Sequence, residues 1–331
     1  MQARWGLTVP LTGVPLMAHA PLLGELADAG YTDLWSSEVA GTDAFTPLAL
    51  ASTWAPTLRL GTAIVPVFTR GPGLLAMSAA ALAEAAPDRF RLGIGASSPV
   101  VVEDWNAQSY VDPFGRTRDT LRFLRRALAG ELVDEVYPTF AVRRFKLERP
   151  PASPPPILLA ALRAGMLRLA AAEADGVILN WLAASDVPRV RAELKGAKEG
   201  FETVARIFVC PTPDERYARE LGRRMIAGYL TVPAYAAFHR WLGRGEVLEP
   251  MWTAWAAGDR RAATAAIPDE VVDALILHGT PQACRQKISE YVRQGVQTPV
   301  IALLPTPELT AGEGGVLQTV LLDLAPTVTE V

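Results

Sequence analysis

Cysteine, histidine and lysine are the scarce residues of this chain. Only Cys210 and Cys284 stand among its 331 residues. Disulfide-stapled folds use more cysteines in a far shorter chain, so that class is excluded and a reducing, cytoplasmic compartment is expected. Cys210 closes the apolar stretch Ile207-Phe208-Val209-Cys210 and reads as a small core residue. His19, His239 and His278 are scattered, and none sits at metal-ligand spacing with another histidine, cysteine or carboxylate pair. No metal centre is expected. Four of the 32 basic residues are lysines, net charge is −3, and the pI lies near 5.8. That balance offers no basic footprint for nucleic acid. No apolar run reaches the roughly 18 residues of a membrane span, and no basic stretch leads into a long apolar one at the N-terminus. The chain is therefore expected to be soluble and unprocessed. The Gly-x-Ser-x-Gly elbow and the Walker loop are missing too, which argues against serine hydrolases and P-loop enzymes.

What is present is alternation. Apolar runs predict strands over 4–9, 33–36, 59–65, 89–95, 157–160, 176–180, 205–210 and 298–304. Between them lie helical patterns at 19–30, 46–55, 73–86, 113–129, 165–174, 187–199 and 281–294, with a last helix at 317–324. Near-continuous apolar strands mean a parallel sheet covered on both faces. Eight such units are better explained by a closed barrel than by an open sheet. The predicted fold is α/β, a single (β/α)8 TIM barrel spanning residues 1–331. Two insertions break the rhythm. About 131–156 is expected to hold a small hairpin, residues 137–140 against 145–147. The second, about 231–280, falls largely in a long helical stretch, 214–277, that carries Trp241, Trp252 and Trp255, which either roof a substrate pocket or form the insertion's own core.

In such a barrel, ligands collect where strands end. Arg59 to Pro72 is the most informative stretch: an apolar strand stopped by Pro66 and by the Arg70-Gly71-Pro72 turn. Gly93-Ile94-Gly95-Ala96-Ser97-Ser98 ends strand four. It lacks the third glycine and the following acidic residue of a dinucleotide fingerprint. Its small residues permit either a tight strand exit or close approach of a flat ring. Leu158 to Met166 runs from strand five into a helix, where free N–H groups and Arg163 suit a phosphate, or form an ordinary βα turn with a solvated arginine. Glu38, after strand two, is a candidate acid, base or hydrogen-bond acceptor, or a plain loop charge. Phe68, Asn180 and Trp181 are candidate substrate-pocket residues; the last two also read as rim packing.

Several of these pieces carry a resemblance. They are Gly30-Tyr31…Leu34-Trp35…Glu38, Leu60-Gly61-Thr62-Ala63-Ile64-Val65-Pro66 with Thr69-Arg70-Gly71-Pro72, Asp88 to Ser98, and Ala174-Asp175-Gly176-Val177. In order and spacing the chain resembles the luciferase-like superfamily over about residues 4–306, and within it the branch using the deazaflavin coenzyme F420. The resemblance implies a bulge with a cis Ala63–Ile64 bond behind the cofactor ring. It implies ring contacts from Glu38, Ala63, Ile64, Ser97 and Ser98, phosphate contacts from Ala161, Leu162, Arg163, Ala164, Gly165 and Met166, and a cofactor contact from Ala160. It also implies a homodimer and a small-molecule substrate.

One departure stands out. Many deazaflavin relatives carry an acidic residue followed by histidine after strand two, and some carry a carboxylate after the strand-four glycines. Here those positions hold Val39 and Ser98. General acid–base catalysis contributes about 10²–10⁴-fold, and valine cannot move a proton. Glu38 and Ser98 are left as the candidate catalytic residues. The implied activity is hydride transfer to or from a small or biosynthetic molecule, with reduction of C=C or C=N favoured. Two alternatives stay open: an FMN-dependent monooxygenase, and a barrel that has left redox chemistry to act as a binding protein or cofactor-free catalyst.

Overall fold

A computed structural model describes residues 4–310 and 315–326. The termini of the 1–331 domain range thus lie outside the described residues. Eight parallel strands close the barrel: β1 Gly6–Thr8, β2 Asp33–Ser36, β3 Arg59–Thr62, β4 Phe90–Gly95, β5 Ile157–Ala160, β6 Gly176–Asn180, β7 Glu202–Cys210 and β8 Thr298–Leu303. Each pairs with the next, and β8 returns to β1 with Gly6 opposite Val300. The predicted TIM barrel is the fold observed.

Side chains alternate across the strands, so one set fills the barrel and the other meets the helices. On β7, Ala205, Ile207 and Val209 join the main core outside the barrel. Val204 points inward, where it packs with Trp35, Leu158, Ile178 and Val300. Trp35 is 1% exposed and fills the middle of the barrel. Burying an indole removes roughly 200 Å² from water, about 5 kcal/mol. Gly61 makes the room, because a Cβ there would lie 2.3 Å from the Trp35 ring.

Below that layer the barrel is closed by charge. Asp33 is fully buried and takes Arg4 Nε at 2.7 Å and Arg59 Nε at 2.7 Å. Arg59 also donates to Glu202 at 2.6 Å, and Thr298 Oγ1 donates to the same carboxylate at 2.6 Å. Arg91 lies 3.7 Å from it. Burial works to raise the Glu202 pKa, but Arg59, Thr298 and Arg91 hold it below the ordinary value.

Four sequence readings change. The strand expected over 59–65 stops at Thr62 and resumes as Val65–Pro66 beside β4. The hairpin forms, but from Val133–Val136 and Ala141–Phe145. Residues 137–140 are its turn, closed by Tyr137 N–H to Phe140 C=O at 2.8 Å. The helix expected over 187–199 ends at Ala192, before Gly196 at φ +86°. The stretch 214–277 holds separate helices, the last of which runs into an extra parallel strand, Ile276–His278. That strand pairs with the upper part of β7, Phe208 to Cys210, where β6 has already ended. No helix among the described residues is long and apolar enough to cross a membrane.

Candidate active site

Above the Trp35 layer, a cavity of about 700 Å³ opens at the C-terminal ends of the strands. Its first wall is a bulge in β3. Gly61 faces Arg91 and Val65 faces Ile94, so β3 spends one more residue than β4 over the same span. Thr62 covers the gap. Its hydroxyl donates to Gly93 C=O and accepts from Gly93 N–H, both at 2.8 Å. The ladder groups that the bulge would orphan are thereby satisfied. The Ala63–Ile64 peptide is cis. Ala63 N–H donates to Ser36 C=O at 2.6 Å, and Ile64 C=O accepts from Glu38 N–H at 3.2 Å. Ala63 and Ile64 both line the cavity.

Beside the bulge stand Glu38 and the exit of β4. Glu38 lines the cavity, but its carboxylate is engaged. Arg70 donates to it through Nη2 at 3.0 Å and Nε at 3.2 Å, and Ala44 N–H through 3.2 Å. Arg70 also lies over the Phe45 ring, 5.0 Å from its centroid. Val39 is about half exposed at the mouth. Ser97 takes a left-handed backbone at φ +63°, and Tyr110 Oη donates to its carbonyl at 3.1 Å. Ser98 starts a short π-type turn, Val100–Asp104, that the sequence did not announce. Its Oγ accepts from Val101 N–H at 3.4 Å.

The next wall is the start of the helix Ala164–Glu173. No side chain caps it: Arg163 is the N-cap residue and points no hydrogen bond inward. Its first N–H groups and the positive end of the helix dipole are left for a ligand. Arg163 is exposed, and Gly165 has no atom within 4 Å of a built Cβ. Ala160, Leu162, Arg163, Ala164, Gly165 and Met166 line the cavity here.

The far wall comes from β6, β7 and the helices after β7. Asn180 Nδ2 donates to Tyr235 Oη at 3.1 Å, while Asn180 Oδ1 is buried without a partner. Burial pushes the Tyr235 phenol up to about 12, so it keeps its proton at neutral pH. Arg206 enters from β7 with the Tyr229 and Tyr235 phenols beside it. Trp241 completes this side.

Among the expected site residues, Ala161, Phe68 and Trp181 do not line the cavity. Ala161 is 2% exposed, and its N–H is bound to Ile178 C=O. Phe68 packs behind the wall against Tyr110, ring centroids 5.0 Å apart. Trp181 turns away at φ +55° and is sandwiched by Phe208 and Tyr229, at 4.2 and 5.0 Å. Glu38, Ala63, Ile64, Ser97, Ser98, Ala160, Leu162 to Met166 and Asn180 are brought together. Of the three tryptophans of the late insertion, Trp241 lines the cavity and Trp252 and Trp255 do not. The residues that sequence reasoning passed over include Ser37, Tyr110, Arg206, Tyr229 and Tyr235. One of them left a signal: an arginine inside the apolar run Val204-Ala205-Arg206-Ile207-Phe208. Among the described residues, no group of three or more His, Cys, Asp and Glu is placed to hold a metal ion.

The bulge and the helix start on one cavity agree with the pattern that matches this sequence, luciferase-like monooxygenase, over residues 10–298. The chain belongs to that family. This luciferase-like chain is 27% identical over 319 residues to a protein of Mycobacterium tuberculosis provisionally named a coenzyme F420-dependent oxidoreductase. The match covers 87% of this chain and 91% of that one. It is 26% identical over 291 residues to 5,10-methylenetetrahydromethanopterin reductase of Archaeoglobus fulgidus, covering 84% and 86%. Its fold is similar to coenzyme F420-dependent tetrahydromethanopterin reductase from Methanopyrus kandleri, with a TM-score of 0.78, 19% identity and 99% of each chain covered.

Proposed function

We propose that this luciferase-like chain is an oxidoreductase that uses coenzyme F420. In this reading it moves hydride between the deazaflavin and a small organic substrate, with reduction of a C=C or C=N bond as the favoured direction. The observation that carries it is one cavity joining the β3 bulge to an uncapped helix start. The name of the Mycobacterium tuberculosis relative supports the choice of cofactor.

The residues present fit such a group. Ala63, Ala96, Ser97 and Ala160 are small, so a flat ring can approach the backbone. Ala63 and Ile64 would support the ring from behind. The N–H groups at Ala164, Gly165 and Met166 and the Arg163 guanidinium would hold phosphate. The bound deazaflavin supplies hydride chemistry; the chain supplies binding, orientation and protons. Glu38, tied to Arg70, accepts hydrogen bonds and fixes the loop after β2. With Val39 at the mouth, proton delivery falls to the Ser98 hydroxyl or to water beside it. The chain works as a homodimer in this reading.

A fluorescence titration of the purified protein with the deazaflavin, with FMN alongside, tests this. Saturable binding of the deazaflavin at least about tenfold tighter than FMN, a 1.4 kcal/mol preference, is the expected result. Preference for FMN with oxygen consumption on its reduction would replace this reading with a monooxygenase. Binding of neither would mean that the barrel has left redox chemistry.

A further inference from the structure

Arg206 is a cation without a counter-charge. It sits on β7, paired in register with Asn180 of β6 and Val300 of β8. Its Nε–H is buried and has no hydrogen-bond partner among the described residues. The charged or polar groups acting on it are the phenols of Tyr229 and Tyr235, and no carboxylate is among them. Its guanidinium carbon lies 4.9 Å from the Phe208 ring. Burial works against its charge. Elsewhere in the barrel the same kind of group is treated differently: Arg59 meets both Asp33 and Glu202. Taking an ion out of water costs several kcal/mol unless a partner compensates it. Arg206 itself lines the cavity.

We propose that Arg206 recognises the substrate, and that the substrate is an apolar molecule bearing a carboxylate. Three observations shape this. In the ring of eight strands, β7 lies directly across from β3, so a ring seated on the bulge leaves Arg206 facing what lies over it. The neighbouring wall is apolar, with Ile178, Val232 and Trp241, which suits an apolar body. The charged feature is a single planar guanidinium with phenols beside it. That matches a planar carboxylate, which an arginine edge binds through two parallel hydrogen bonds, better than a doubly charged phosphate. The inference rests on the cavity being the active site. It does not need a bound cofactor, so it is tested without one.

The probes are 2-naphthoate, its uncharged analogue 2-naphthamide, and inorganic phosphate. They are titrated calorimetrically into the cofactor-free protein and into Arg206→Met, Arg206→Lys and Arg163→Ala. Naphthoate is expected to bind the unsubstituted protein at least about tenfold tighter than naphthamide. Arg206→Met erases that preference, Arg206→Lys keeps part of it, and Arg163→Ala leaves it unchanged. Arg206→Met also raises the melting temperature of the ligand-free protein, because it removes a half-buried charge that no carboxylate compensates. A merely structural arginine would lower it. Equal binding of amide and carboxylate, no naphthoate binding, or a preference that survives Arg206→Met overturns the proposal. Phosphate displacing naphthoate from the Arg206 site would overturn the carboxylate assignment. Loss of deazaflavin binding in a separate titration would strike only the cofactor reading.

Discussion

Strand β7 carries two charges on its inward face, one at its start and one at its middle, and the protein treats them in opposite ways. Glu202, at the floor of the barrel, is enclosed by Arg59, Arg91 and Thr298. Arg206, two inward positions further along, has phenols and an aromatic face but no carboxylate. Between them lies only Val204 with the Trp35 layer. The floor is a satisfied polar network, which holds the strand ends in register. The mouth is left electrostatically incomplete. A fold that solves the same problem fully at one end has the means to solve it at the other, so the difference marks the end that awaits a ligand.

The sharpest way to break this contrast is to make the floor resemble the mouth. Asp33→Ala leaves Arg4 and Arg59 without their shared carboxylate. Loss of one partner from a buried pair costs about 3–5 kcal/mol, and chemical denaturation would read it as a large fall in midpoint. A loss below about 1 kcal/mol would show that the floor is no more committed than the surface. The next effect comes at the bulge. Thr62→Val strips Gly93 N–H and C=O of their partners and costs about 1–3 kcal/mol. Deazaflavin affinity should fall with it, because the wall beneath Ala63 and Ile64 loses its tie; unchanged affinity would separate the bulge from the cofactor.

Acid titration sharpens the comparison further. Glu202 has a folded pKa below its unfolded value of about 4.3. The unfolded chain therefore binds more protons in that window, and stability rises with pH there. The contribution is present at neutral pH and is lost as pH falls through the folded value. Glu202→Gln should flatten this acid limb in a series of melting temperatures; an unaltered limb would mean that Glu202 is not its source. The smallest stability effect belongs to Arg163→Ala. An exposed side chain with no ion pair changes folding by no more than about 0.5 kcal/mol, yet deazaflavin binding should weaken about tenfold. Equal binding by the variant would remove the phosphate from this helix start.

Much of the fold was legible because β5 and β6 are unbroken apolar runs between clear helical patterns. The strand ends followed from that regularity, whereas Ala63 and Ser97 as ring contacts came from the family resemblance, since the strand pattern ran on past Ala63 to Val65. The extra strand Ile276–His278 was hidden, because it follows the helix Asp269–Leu275 with no turn residue between them. An apolar run of that length has no period that separates strand from helix. Trp181 was misplaced for another reason: a strand end predicts that a side chain is near the mouth, not which way a left-handed residue aims it. Tyr229 and Tyr235 come from distant helices, and no local pattern reports such a convergence. Arg206 was visible as a charge in an apolar strand, but its isolation became apparent only with its neighbours in place.

The helices between β7 and Ile276–His278 pack around a second cluster, in which Ile226, Leu230, Leu248, Met251 and Val272 meet Phe208 and Cys210 of β7 and Ala302 of β8. Tyr229 and Tyr235, which face Arg206, are mounted on that second cluster. The cavity is thus assembled from two halves, the second rooted on β7 and β8 but built mainly from these helices. One half, with the bulge and the helix after β5, belongs to the barrel and changes only at the barrel's expense. The other can be rewritten, lengthened or exchanged as a cassette. A lineage built on this plan can keep one cofactor through many generations while its choice of substrate drifts.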